Sequence, residues 1–185
     1  MLARAGVSQT IELDEGHLGF QLGPRINAPG RLDSAAPALA LLRARSNAEA
    51  EPLAAKVEMF NAQRRHHQAG VVEQASAMLN ADPRIEERAG LVVGSEEWLP
   101  GIVGIAASGL ASRYRRPALV VAIDRSLGEA RGSGRTWGEV DVRGVLLRCC
   151  CTPASSSSAS PPRHTRHAST LRGPVTTCLA LSRPR

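Results

Sequence analysis

The stretch from Ser46 to Asn80 constrains the fold of this chain more than any other segment of its sequence. Ser46 and Glu49 have the spacing of a capping box, so a helix is expected to begin there. Apolar residues then recur with the period of an amphipathic helix as far as Asn80. A helix of roughly thirty residues is longer than a compact domain usually needs. We therefore predict that residues 46–80 are a connector helix between two lobes.

From Gly90 onward, short apolar strands alternate with a helix. Leu91 to Val93 is predicted to be a buried strand, residues 102–114 a helix whose small residues allow close packing, and Ala118 to Ile123 a second strand. This order implies a right-handed parallel β-α-β unit. Residues 129–136 are expected to lead into a turn. The predicted fold class is α/β, with the long connector helix followed by a small, incomplete β-α-β lobe.

Two segments of different composition precede the connector helix. Residues 18–33 contain three glycines and two prolines among apolar and basic side chains, which indicates a loop ordered by its neighbours rather than a helix or a strand. Ser34 to Arg45 is rich in Ala and Leu. Leu39 and Leu42 have the spacing of one helix face, so a short buried helix is predicted there.

Charge and composition change sharply after Arg148. The formal net charge of the chain is +6, but residues 149–185 contain five arginines and no acidic residue. Most of the positive excess therefore lies in this segment, and net charge gives no evidence that residues 1–148 bind DNA. The segment is also too poor in large aliphatic residues to bury a core. It is predicted to be a disordered basic tail or the product of a frame shift, and the sequence leaves both open.

Several classes of protein are excluded. No apolar run approaches the ~18 residues of a membrane span, and the first residues include no apolar signal segment, so we expect a cytoplasmic protein without a membrane partner. Cys149 to Cys151 are consecutive and cannot take the C-x-x-C spacing of a zinc site. Adjacent His66 and His67 point apart on a helix, which favours a solvated face. We therefore assign no catalytic residue, no metal ligand and no cofactor within this chain.

The stretch from Arg131 to Arg135 is the most informative short motif for function. Gly132 and Gly134 would let backbone N–H groups approach an anion closely, and Ser133 can donate a hydrogen bond. The two arginines can bind phosphate oxygens with two parallel hydrogen bonds. The alternative is a glycine-rich turn with solvated arginines.

Residues 23–31 form the second candidate binding segment. Arg25 and Arg31 lie six residues apart, and Asn27 lies between them. Proline and glycine neighbours restrict these side chains, so little entropy is lost when a phosphate binds. The alternative, that both arginines pair with acidic residues of an adjoining lobe, is equally compatible with the sequence.

Four stretches, taken in order, carry a resemblance to a known family. Residues 19–33 resemble the signature GPRINAAGRLD, with Pro29 in place of Ala, and residues 61–65 resemble an N-x-x-R-R stretch. Residues 97–106 resemble W-H-P-G-[IV]-[IV]-G-I-V, and residues 131–136 resemble GSGRS. With these motifs the chain resembles the RecJ family of single-stranded-DNA-specific exonucleases, in the DHH phosphoesterase superfamily.

The resemblance implies an activity whose chemistry lies outside this chain. RecJ-type enzymes digest single-stranded DNA from a 5′ end in repair and recombination, as monomers, with manganese or magnesium held by Asp and His residues of a DHH domain. This chain has no counterpart of those ligands. Ser133, Gly134 and Arg135 would line the pocket for the DNA 5′ end, with Arg25 and Arg31 along the path between lobes. The residue Leu99 stands where the family usually has His.

The resemblance also divides the chain into segments. Residues 1–45 would be the end of the DHH catalytic domain, 46–80 the connector helix, 81–148 part of the DHH-associated α/β domain and 149–185 the tail. Such a fragment is predicted to be inactive alone. Two other functions stay open, namely a non-catalytic module that binds single-stranded nucleic acid and a DHH phosphoesterase acting on short oligonucleotides.

Overall fold

The computed structural model describes residues 12–142, 144–146, 163–165 and 168–174. The chain forms two compact units, Met1–His67 and Gln68–Arg185. The boundary between them falls within one continuous helix, so this helix contributes residues to both units. Among the described residues, no helix has the length and apolar character that crossing a membrane requires.

All regular elements among the described residues of the first unit are helical. A π-helical turn and two α-helices precede the long helix, and their bounds are His17–Leu22 for the turn, Gly23–Leu32 for α1 and Ala36–Arg43 for α2. The prediction of a loop over residues 18–33 was therefore wrong. Pro24 lies in the first turn of α1, a position that proline commonly occupies. Pro29 breaks one hydrogen bond inside α1, but its ring and Ala28 are fully buried, and this burial offsets the loss.

Helix α2 confirms the predicted helix between Ser34 and Arg45, but not the predicted buried face. Ala38 is the buried residue of α2, whereas Leu39 and Leu42 are both more than half exposed. A short helix packed through one alanine leaves its larger side chains at the surface. The apolar periodicity predicted the helix correctly, but it predicted the wrong buried face.

Helix α3 is Asn47–Asn80, with 34 residues. Its first turn has the Ser46 half of the predicted capping box, because the Ser46 hydroxyl accepts a hydrogen bond from the Glu49 N–H at 3.2 Å. The Glu49 carboxylate accepts from the Arg45 N–H at 3.0 Å, one residue before the expected Ser46 N–H. The predicted long helix is thus confirmed. Its buried residues fall into two groups, which are Ala54, Val57 and Asn61 in the first half and Val71, Ala75, Ser76 and Leu79 in the second.

The second unit contains a mixed sheet and one covering helix. In chain order these are β1 (Leu91–Ser95), α4 (Val103–Tyr114), β2 (Ala118–Asp124), β3 (Glu129–Arg135), β4 (Arg163–Thr165) and β5 (Ala168–Pro174). The sheet order is β1-β2-β3-β5-β4, with β1 and β2 parallel and every other pair antiparallel. The predicted β-α-β unit is therefore confirmed as β1, α4 and β2.

Residues 129–135 form strand β3, and they lead into a turn at positions 138 and 139, as predicted. Another turn precedes β3 at residues 125–128, where Gly128 has a positive φ of 64° that favours glycine. Because β2 is long and apolar, its antiparallel partner continues the sheet through the glycines that suggested a turn. Gly132 lies directly opposite Val121 in this pairing.

The two faces of the sheet are covered by different elements. Helix α4 covers the face that carries Ser133, since a Cβ on Gly104 would lie 3.2 Å from the Ser133 hydroxyl oxygen. On the other face, Leu119 and Val121 pack with Ala130, Val142 and Leu146. The residues after Val140, predicted to begin a helix or a strand, are helical at positions 142 and 144–146.

The segment predicted to be a disordered tail contains two strands. Strands β4 and β5 lie within residues 149–185, and β5 pairs with β3 along its whole length. Sheet pairing uses backbone groups, so a segment poor in apolar side chains can still add to an open sheet edge. Ten positions of the tail are described, and they form these two strands. The rest of the tail lies outside the described residues.

Gly70→Ala tests the packing of helix α3. Nothing lies within 4 Å of the position that a Cβ on Gly70 would take. The substitution should raise the free energy of unfolding by about 1 kcal/mol, because alanine has the higher helix propensity. Thermal and urea denaturation followed by circular dichroism would measure the change.

Gly132→Ala is the matched control. A Cβ there would lie 3.2 Å from Cγ2 of Val121 and 3.3 Å from Cδ1 of Leu119, both in the core. This alanine should lower the free energy of unfolding by about 1–3 kcal/mol through overpacking. Equal effects of the two alanines would contradict the placement of both glycines.

Candidate nucleic-acid interface

The side chain of Arg135 is fixed against helix α4 in the second unit. Alternation along β3 brings Ser133 and Arg135 to the sheet face that α4 covers. The Nε of Arg135 donates to the Ser108 hydroxyl at 3.0 Å. Its Nη1 donates to the Ser133 hydroxyl at 2.8 Å and to the Gly134 carbonyl at 2.9 Å. The guanidinium is therefore held in one orientation by neutral groups.

Gly104 makes this close approach of helix and strand possible. A Cβ at Gly104 would lie 3.2 Å from Nη2 of Arg135 and 3.2 Å from the Ser133 hydroxyl oxygen. Ser108 also donates to the Gly104 carbonyl at 3.2 Å, which orients its hydroxyl. The small residues that suggested close packing in the sequence thus lie against the arginine of the candidate site.

The other residues of the Arg131 to Arg135 motif are distributed over the strand. Gly132 and Gly134 are buried, and their backbones lie in the ladders that β3 forms with β2 and β5. Arg131 is exposed and lines an open cleft of about 600 Å³ together with the ion pair of Arg125 and Glu96. The motif therefore brings Ser133 and Arg135 together, while Arg131 lies beside a cleft of mixed charge.

In the first unit, Arg25 forms an ion pair within its own unit. Its Nε donates to Oε2 of Glu58 at 2.7 Å, and its Nη1 donates to the carbonyl of Gln21 at 2.7 Å. The sequence had left open whether this arginine pairs with an acidic residue, and it does. Asn27 and Arg31 lie one helical turn apart on α1 and line a separate groove of about 490 Å³.

Sequence reasoning missed a hydrogen-bond chain that links α1 to helix α3. The amide of Asn61 donates to Oε1 of Glu58 at 3.0 Å and accepts from Nη2 of Arg64 at 2.7 Å. Asn61 is only 2% exposed, so both ends of its amide need partners. Glu58, Asn61 and Arg64 recur every three residues, and this spacing was the signal available in the sequence.

Burial and neighbouring charges shift the pKa values of Glu58 and Arg64, which both belong to this series of hydrogen bonds. Burial raises the pKa of Glu58, but hydrogen bonds from Asn61 and Arg25, and the charges of Arg25 and Arg65, lower it below its usual value. Burial lowers the pKa of Arg64, and the charges of nearby arginines lower it further. The arrangement combines one ionised carboxylate with several guanidinium groups.

Potential metal ligands are scattered in the described residues. His66 and His67 are exposed on helix α3, as predicted, and their rings meet edge to face with centroids 6.1 Å apart. No group of three or more His, Cys, Asp or Glu side chains within the described residues has the arrangement of a metal site. These residues therefore offer no fit for a catalytic metal ion.

Comparison with known proteins identifies the family. No protein-family model matches the chain. It is 38% identical over 141 residues to the single-stranded-DNA-specific exonuclease RecJ of Bacillus subtilis, an overlap of 72% of this chain and 18% of that protein. It is 34% identical over 139 residues to RecJ of Escherichia coli, which covers 74% of this chain and 24% of that protein.

Solved structures agree with these relatives. The fold matches crystal structures of RecJ from Thermus thermophilus in complex with Mg²⁺ and with Mn²⁺, each with a TM-score of 0.77 and 25% identity over 98% of this chain. The matched region is 26% of the chain in the Mg²⁺ complex and 25% of the chain in the Mn²⁺ complex. Over most of its length, the chain is thus similar to a class of proteins described as single-stranded-DNA-specific exonucleases. Over the matched residues it belongs to the RecJ family, and it spans about a quarter or less of the length of the curated relatives named above.

Glu58→Gln tests the ion pair with Arg25. The variant should lower the free energy of unfolding at pH 7 by about 1–3 kcal/mol, because it removes a charged hydrogen-bond acceptor. A carboxyl group whose folded-state pKa is lowered stabilises the fold fully above its unfolded pKa of about 4.3, and this is lost as the pH falls through the folded-state pKa. Urea denaturation should therefore show a difference that shrinks below about pH 4.

Glu86→Gln is the control for this experiment. Its carboxylate accepts from Arg116 at 2.9 Å but is 88% exposed, so the variant should change stability little at either pH. A Glu58→Gln effect that persists unchanged in acid would show that the carboxylate charge is not what stabilises the pair.

Proposed function

We propose that this chain supplies nucleic-acid-binding surface to a RecJ-type exonuclease that digests single-stranded DNA from the 5′ end in cytoplasmic DNA repair and recombination. The match to RecJ over most of the chain supports the substrate class. The observation that carries the binding role is the guanidinium of Arg135, which three hydrogen bonds to neutral groups hold in place.

We propose that Ser133 and Arg135 bind a phosphate of the strand. A guanidinium that is already oriented loses little entropy when it meets a phosphate, and its planar donors match two phosphate oxygens. Gly132 and Gly134 belong to the proposed site through the backbone of the strand that carries both residues, and Gly104 of α4 allows the close packing that positions Arg135. The exposed side chain of Arg131 adds positive charge beside this site.

For the first unit, the proposed binding residues are Asn27 and Arg31, with Arg25 acting indirectly. Asn27 and Arg31 line the groove beside α2. Arg25 is neutralised by Glu58, so its proposed contribution is to hold α1 against α3. Leu99 stands where the family usually has a histidine. We propose that this leucine removes one polar contact from the binding surface.

The proposed segments follow the resemblance. Residues 1–45 correspond to the end of a DHH catalytic domain, 46–80 to the connector helix and 81–148 to part of a DHH-associated domain. The unbroken helix α3, which contributes to both compact units, supports a connector. Manganese or magnesium would then be held by other parts of the intact enzyme, since the described residues offer no metal site.

Within the described residues, no three His, Cys, Asp or Glu side chains are arranged to hold a metal ion. A second proposed function for the chain by itself is therefore that of a non-catalytic module that binds single-stranded nucleic acid. The 185-residue chain, incubated with Mn²⁺ or Mg²⁺, should release no nucleotides from labelled single-stranded DNA. A full-length RecJ relative is the positive control. Metal-dependent release by the chain alone would refute both the proposed division of labour and the non-catalytic module.

Arg135→Gln tests the binding role. We expect affinity for a labelled oligothymidylate, measured by fluorescence anisotropy, to fall several-fold, and the slope of log K against log salt to decrease by about 0.7 for one lost phosphate contact. Arg84→Gln removes an exposed arginine of the same unit that lies outside the site and should have a smaller effect. Identical behaviour of the two variants would exclude Arg135 as a phosphate contact.

A further inference from the structure

The two tryptophans of the chain lie in different environments within the second unit. Trp98 is 4% exposed, and its indole N–H donates to the side-chain oxygen of Gln74 at 2.6 Å. Trp137 is 43% exposed. Trp98 therefore belongs to the core, whereas nearly half of Trp137 is open to a ligand.

Trp137 lies two residues beyond Arg135, the last residue of strand β3. Arg135 pairs with Ala118 of β2 and with Ala168 of β5, so Trp137 follows directly after the end of the ladder. Two residues of chain span at most about 7 Å. A base is joined to its own phosphate through a single sugar, so a ring at this position is well placed for a base whose phosphate meets Arg135.

The turn after β3 fixes the backbone around Trp137. The hydroxyl of Thr136 donates to the carbonyl of Val140 at 2.7 Å, and Gly138 has a positive φ of 68° that favours glycine. A tryptophan side chain has only two rotatable bonds, so it offers a large contact area at a low cost in conformational entropy. The closed turn therefore presents the ring as a rigid surface.

The charges of this turn favour a base over a phosphate as the ligand of Trp137. Glu139 and Asp141 are exposed and follow within four residues, and their carboxylates would repel a phosphate. Stacking of a base uses the face of the ring and needs no opposite charge. Together, Arg135 and Trp137 offer the two contacts that surfaces binding single strands combine, which are positive charge for the backbone and an aromatic ring for a base.

We propose that Trp137 stacks on a base of single-stranded DNA next to the phosphate that Arg135 binds. Every base has a π face, so the contact accepts the strand without regard to sequence. It also favours a single strand over a duplex, because a base must leave its stack in the duplex before it can meet the ring. This inference rests on the proposed function and extends it to a residue outside the Arg131 to Arg135 motif.

Trp137→Leu in the full 185-residue chain tests the stacking contact. Leucine is apolar but has no flat ring, so affinity for a fluorescein-labelled oligothymidylate, followed by anisotropy, should fall about tenfold. The slope of log K against log salt should stay unchanged, since no phosphate contact is lost. Trp137→Phe keeps a smaller ring and should fall between wild type and Trp137→Leu.

Two further measurements separate stacking from phosphate binding. An abasic oligonucleotide of the same length keeps its phosphates, and wild type should bind it about tenfold more weakly than oligothymidylate, whereas Trp137→Leu should bind both equally. Unlabelled oligothymidylate should quench the tryptophan fluorescence of wild type. This quenching should be absent in Trp137→Phe, where the buried Trp98 is the remaining tryptophan.

Met78→Ala is the matched control, since Met78 is an apolar residue of the same unit that is 49% exposed and lies outside the proposed site. It should leave affinity for both oligomers unchanged. Circular dichroism and thermal melts establish that each variant is folded, and Trp137→Phe decides the question if Trp137→Leu does not fold. Equal affinity of wild type for the two oligomers, or Trp137 variants that bind like Met78→Ala, would overturn the stacking contact.

The experiment separates failure of the stacking contact from failure of the proposed function. If Arg135→Gln weakens binding and lowers the salt slope while Trp137→Leu matches Met78→Ala, only the stacking contact is refuted. If wild type shows no salt-dependent binding to either oligomer, the proposed function and the stacking contact are refuted together.

Discussion

The second unit depends on strand β2, whose first five residues are each 5% exposed or less. A strand buried on both faces needs a layer on each side, and these are α4 on one face and the residues around Val142 on the other. This requirement explains the composition of the neighbouring strand. Gly132 fits against Val121 because no larger residue would, and the alternation that buries it directs Ser133 and Arg135 toward α4. The residue types in the motif that suggested phosphate binding are therefore explained first by the packing of the sheet.

Local patterns predicted the elements that local interactions determine. The capping box and the apolar period of α3 act within a few residues of chain, and so do the apolar runs of β1 and β2, so these elements were recognised from the sequence. Local patterns were insufficient where distant contacts override local preference. Glycines in β3 and prolines in α1 normally mark turns, but pairing with β2 and burial against other helices stabilised regular structure instead. The pairing of β5 with β3 joins backbone groups far apart in the chain, and no local pattern signals it.

The sequence indicated the residue types of the candidate site, but it did not indicate which side chains form hydrogen bonds with each other. Arg135 and Ser108 are 27 positions apart, and Arg25 and Glu58 are 33 apart, so only the folded chain shows that they meet. The sequence left open whether Arg25 would meet an acidic residue, and only the fold decided it. Asn61 carried a signal that was available, because a buried amide with a carboxylate three residues before it and an arginine three after it can bond both on one helix face.

The partners of each arginine determine what it can do for an anion. Arg25 donates to a carboxylate, so most of its charge is compensated within the protein and an approaching phosphate would compete with Glu58. Arg135 donates to two hydroxyls and a carbonyl, and these neutral groups fix its guanidinium. Orientation of this kind lowers the entropy cost of binding a phosphate. The same residue type thus stabilises the fold at position 25 through a carboxylate, whereas the proposed phosphate contact at position 135 rests on an orientation that hydroxyl and carbonyl groups provide.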